Sequence, residues 1–169
     1  MRTLVLLLLT AALALPAASV ASRSAQGDGS LAVANATGVL TVQVKGVIFG
    51  HFDRGKMTVL EYKSDSANAL PTVSGARMDV RGAKANVVYS GKDVRFLFPS
   101  GTFTLRFDGA GIDLSAVGKG WVAASEKGGD VEGTISVNGA KPGPLPPAVA
   151  FGSQFSVTAS TAAQSSAKP

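Results

Sequence analysis

Few residues in this chain are equipped for chemistry, and they are scattered. His51 is the single histidine among 169 residues, and there is no cysteine. An imidazole is the first candidate for acid–base work near neutral pH. A lone histidine lacks the partners that a zinc site or a Ser-His-Asp relay requires, so the ordinary reading is a partly exposed strand residue. Asp108 and Asp113 flank the glycines of the run DGAGID. Such carboxylates suggest a calcium loop or a glycosidase pair, the latter holding its two groups within about 5–10 Å of each other. The spacing fits no EF-hand, and Asp-Gly is a common turn dipeptide.

Gly-x-Gly runs at 27–29, 109–111 and 118–120 invite a phosphate reading. No helical pattern follows any of them to supply a dipole, so they read as turns. Trp121 stands in the small-residue stretch 120–124. Stacking on a sugar ring is its functional reading, and a place in the core is the expected one. Asn35-Ala36-Thr37 matches the N-glycosylation sequon, which has meaning only in a glycosylating host. The sequence assigns no catalytic, cofactor-binding or metal-ligating residue and implies no cofactor.

The elements that must position these residues read as short strands separated by glycine. The 20 glycines punctuate runs rich in Val, Thr, Phe and Ile, and no window keeps the i, i+3, i+4, i+7 spacing of an amphipathic helix. Gly46 to Lys63 reads as a hairpin, with strands 46–52 and 57–63 around Phe52-Asp53-Arg54-Gly55. The register that keeps Ile48, Phe52, Met57 and Val59 on one face then places His51 beside Lys56 on the other. Phe98-Pro99-Ser100-Gly101 repeats the turn spacing between Val94–Phe98 and Phe103–Phe107, which suggests a second hairpin. A motif of glycine, any residue, apolar, Ser/Thr, apolar starts at Gly38, Gly55, Gly101 and Gly133. Its unequal intervals argue against a solenoid and for strands that begin after turns. Further strands are expected at 30–35, 38–45, 72–81, 84–89, 120–125 and 131–137, with 148–157 as an edge strand.

Domain boundaries follow from composition. Met1-Arg2, the apolar run Leu4–Leu15 and the small residues up to Ala21 describe a secretory signal peptide over 1–21, cleaved near Ala21. The run is well short of the roughly 20 apolar residues of a spanning helix. Residues 22–28 read as a flexible entry, 29–157 as one all-β domain, 142–147 as a proline-rich surface segment within it, and 158–169 as a disordered tail. An exported domain without cysteine is held by packing and backbone hydrogen bonds alone. The formal charge of +5 is spread singly along the strands. That describes solvated faces, or attraction to an anionic envelope polymer or glycan, and gives no basic run for nucleic acid.

Gly27–Leu31, Val44–Asp53 and Gly111–Gly120 together resemble a group of small exported, glycine-rich all-β proteins of high-GC bacteria, of the actinobacterial type. The likeness covers about residues 27–140. It implies an exported bacterial all-β protein and carries over no site residue.

The expected fold is therefore a single antiparallel β-sandwich or closed β-barrel of about 9–11 short strands, with almost no helix outside the signal peptide. The expected function is that of an exported, non-enzymatic envelope or secreted protein, a structural or binding module whose mature chain does not span a membrane. One alternative is a carbohydrate-active or other hydrolytic enzyme using Asp108, Asp113 and His51. Another is a small outer-membrane barrel, against which the short strands and polar tail argue.

Overall fold

The computed structural model describes residues 28–65, 70–82, 86–125 and 131–152. The signal peptide, its cleavage near Ala21, most of the entry, the tail and the end of the expected last strand lie outside the described residues.

Among the described residues the chain forms only strands: β1 (Gly29–Lys63), β2 (Thr72–Arg81), β3 (Asn86–Phe98), β4 (Thr102–Ala124), β5 (Glu132–Val137), β6 (Gly143–Pro144) and β7 (Ala148–Phe151). They make one antiparallel sheet, ordered β2-β3-β1-β4-β7, with β5 on β1 and β6 on β5. The all-β expectation holds. The sheet is not closed into a barrel, which corrects that alternative.

The strand count is corrected as well, because β1 and β4 run on for 35 and 23 residues. Where turns were expected, the strands bulge and bend. Asn35, Gly55 and Gly111 have left-handed φ values of 50°, 137° and 64°. The pairing slips by a residue around Asn35 and Gly111, whereas at Gly55 the strands bend with the register kept; at each point the inside–outside alternation shifts by one residue. In β4 the buried residues pass from Phe103, Leu105 and Phe107 to Ile112, Leu114 and Ala116.

Both expected hairpins are absent. Residues 46–63 form a continuous stretch of β1 paired to β3 on one edge and β4 on the other, with Ile48 opposite both Phe98 and Ala116. Ile48, Phe52 and Met57 do share the buried face, and Val59 packs against it. The strands expected at 72–81 and 84–89 do pair, as β2 and β3, closing with Arg81 opposite Asn86.

The register explains the long strands. Gly109 lies opposite both Gly38 and Gly55, and Gly118 lies opposite both Gly29 and Gly46, so residues of β1 that are 17 apart flank one residue of β4. Lys45 in turn lies between Thr102 and Lys119, again 17 apart. The two strands thus wind about each other in turns of 17 residues, and glycines fall at the crossings. A Cβ on Gly109 would overlap the Arg54 carbonyl oxygen and lie 3.0 Å from the Gly55 Cα. Only glycine permits two strands to approach so closely at a bend.

Winding folds the sheet over itself and encloses an apolar core of Leu, Val, Ile, Met and Phe side chains, with no buried polar or charged residue among those described. Phe96 and Phe98 on β3 meet Phe107 and Phe103 on β4 at centroid distances of 5.2 and 5.4 Å. Those strands share no ladder, so the rings meet through the interior. The proline-rich segment forms the outermost pairing, Gly143 and Pro144 against Ile135 and Thr134, where a proline without a donor is tolerated.

Candidate functional site

Winding places the outward residues of β4 in one stripe after the bulge: Asp113, Ser115, Val117, Lys119 and Trp121, each half-buried between fully buried neighbours. His51 on β1 lies opposite Asp113 on one side and Arg95 of β3 on the other. Its Nε2 is 3.3 Å from Asp113 Oδ2 and 3.9 Å from Asp53 Oδ1. This corrects the expected neighbour: Lys56, five residues along, instead binds Asp108, with Nζ 2.9 Å from Oδ2. The correction follows from the missing hairpin, since cross-strand partners come from β4 and β3 rather than from the other half of the same segment.

Asp113 is fixed from two sides. At the Asn35 bulge the β1–β4 pairing skips from Val33–Leu114 to Ala36–Ile112, which frees the Asn35 N–H from the ladder. That N–H donates to Asp113 Oδ1 at 2.6 Å, while Oδ2 faces His51. The bulge satisfies its own backbone donor with a side chain that in turn orients the imidazole.

Around this pair lies a shallow cleft of about 540 Å³, whose lining includes Ala32, Ala34, Phe49, Gly50, Arg95 and Ser115. Phe49 is 50% exposed and sits directly opposite Leu97, itself 41% exposed. The cleft combines an apolar ring, a guanidinium, an imidazole, a carboxylate and a hydroxyl on one open face. The His51 and Asp113 side chains are 45% and 41% exposed, so water weakens their mutual attraction to at most about 1 kcal/mol.

Of the three residues considered for acid–base chemistry, the structure brings His51 and Asp113 together and leaves Asp108 apart. Asp108 and Asp113 both face outward, five residues apart, roughly 15 Å at strand rise. Ser115 lies opposite Phe49 and Ala32, one outward position beyond the His51–Asp113 row. No group of three or more metal-ligating side chains forms among the described residues. The Gly-x-Gly runs at 109–111 and 118–120 lie inside β4.

Trp121 is outward and half-buried, which corrects the core expectation. Its Nε1 donates to Gln43 Oε1 at 2.6 Å. The parity shift at Gly111 is the cause: beyond it even-numbered residues point inward, so odd-numbered Trp121 points out. Alternation along one strand puts Phe49 on the His51 face, but sequence reasoning missed Arg95 and Asp53 as its neighbours. Arg95 alternates outward with the apolar face of β3, and only the register shows that it adjoins His51. No helix of the described residues is long and apolar enough to cross a membrane. Compared with protein-family models, curated proteins and solved structures, the chain matches none.

Proposed function

We propose that this chain is an exported, non-enzymatic protein of the bacterial envelope or medium, a binding module that holds a glycan against the His51 cleft. The observation that carries this reading is the composition of the cleft: exposed Phe49 beside fixed Asp113, His51, Arg95 and Ser115. A sugar ring presents an apolar face and a rim of hydroxyls. An aromatic surface flanked by charged hydrogen-bonding groups matches both, and charged partners make the stronger hydrogen bonds. Small Ala32, Ala34 and Gly50 in the lining leave the face open to a ring, and a preset carboxylate lowers the ordering cost of binding. Export rests on the leader-like pattern of residues 1–21.

The test is co-sedimentation of the mature protein with insoluble envelope glycan, beside the variant carrying both F49A and R95A. Retention of the native protein and loss of the variant are expected; equal behaviour of the two contradicts the reading. The hydrolase alternative has the His51–Asp113 contact in its favour. Release of reducing ends from envelope polysaccharide, abolished in D113N, would replace the binding reading with it.

A further inference from the structure

The far end of the same outward stripe carries a different chemistry. Lys45 lies opposite Lys119 on one side and Thr102 on the other, and Thr102 lies opposite Lys63. Directly opposed residues share a sheet face, so Lys119, Lys45 and Lys63 form one transverse row. At roughly 5 Å per strand the row spans about 14 Å. The next outward row is Trp121, Gln43, Thr104 and Glu61, and the one beyond it includes Arg106. None of the three lysines pairs with a carboxylate among the described residues. The acidic groups near this end of the sheet are Glu61 in the next row, Asp28 just before Gly29 and Asp65 just after the Lys63 end of β1, against the three lysines and Arg106. The Trp121 indole N–H is already taken by Gln43, which fixes the ring, and its strand neighbour on β7 is small Ala150.

We infer that this row, with Trp121, is a second binding site, for a linear glycan bearing carboxylates or phosphates. A fixed indole offers a surface for one ring. Lysines spaced across four strand passes meet charges repeating along a polymer, and together they give a field that no single exposed ion pair supplies. Like charges held side by side repel, so an anion that neutralises them is favoured by relief of that repulsion. The inference rests on the binding-module reading but on different residues, so each can fail alone.

Trp121 is the only tryptophan, and its fluorescence therefore reports this site directly. Polygalacturonate (rings and charge), dextran (rings without charge) and polyphosphate (charge without rings) are titrated in turn. Expected is a saturable emission change with polygalacturonate, weakened by added salt, and none with dextran. The variant carrying K45E and K119E should lose affinity by about tenfold or more, while F49A and R95A leave this titration unchanged. The inference is overturned by unaltered binding in K45E/K119E, by polyphosphate binding as tightly as polygalacturonate, or by no emission change with polygalacturonate. A co-sedimentation failure with intact polygalacturonate binding would remove the cleft and leave this site.

Discussion

Phe96 and Phe107 pack with ring centroids 5.2 Å apart at an interplanar angle of 39°, on strands that share no hydrogen-bonded ladder. Their contact closes the folded-over sheet from inside. F107A should therefore cost about 3–5 kcal/mol, read by denaturant unfolding. A double-mutant cycle with F96A should give a coupling of about 0.5–1.5 kcal/mol. Strict additivity of the two would contradict packing across the interior.

The glycine crossings give a sharper test of the winding. G109A places a Cβ against the Arg54 carbonyl and the Gly55 Cα, whereas a Cβ at Gly143 meets nothing within 4 Å. Backbone cannot move aside as a side-chain end can, so G109A is expected to cost more than about 2 kcal/mol and G143A less than about 0.5. Equal melting temperatures for the two variants would contradict the register.

Much of this fold was legible from residue patterns. Alternation at Val94–Phe98 and Phe103–Phe107 showed strands, and the grouping of Ile48, Phe52 and Met57 showed a buried face. What misled was glycine itself. Gly55, Gly101 and Gly109 carry turn-like neighbours, yet a glycine demanded by close approach of another strand looks the same in sequence as one demanded by a turn. The 17-residue interval between Gly38 and Gly55 was visible, but only the shared partner Gly109 gives it meaning. The same limit hid the cleft, since Phe49, Arg95 and Asp113 come from three strands. Trp121 was legible in principle: Ile112, Leu114 and Ala116 keep even parity, and a tryptophan at an odd position faces outward.

Edge strand β2 supplies a contrast within one transverse row. Met57, Tyr89 and Met78 lie opposite one another, yet Met57 is fully buried and Met78 is 61% exposed. M78K should change stability by no more than about 0.5 kcal/mol. M57K, which buries an unpaired charge, should prevent folding. Unfolding caused by M78K would mean that a further element covers the β2 face.

At the outer end of β2, the Arg81 side chain donates to Asp79 Oδ2 at 2.8 Å and the Val80 N–H to Oδ1. The Arg81 hydrogen bond first, and the Val80 N–H second, hold the Asp79 carboxyl below the usual carboxylate range. A depressed carboxyl contributes above its unfolded value and loses that contribution as pH falls through its folded value. The pair is exposed, so the expected readout is local: in R81A the Asp79 titration seen by NMR moves up toward the ordinary value while the melting temperature stays the same. A titration unmoved by R81A contradicts the assignment.

The proposed binding of glycan on the outward β1–β4 face is read by an NMR titration of the labelled mature protein with solubilised envelope glycan. Saturable shifts are expected, confined to the outward stripe and its flanks, at residues 32–34, 49–51, 95–97 and 113–115 for the cleft and at 43–45 and 119–121 for the lysine row. Absence of shifts at saturating glycan, or shifts concentrated on the β2 edge, would contradict the proposed binding.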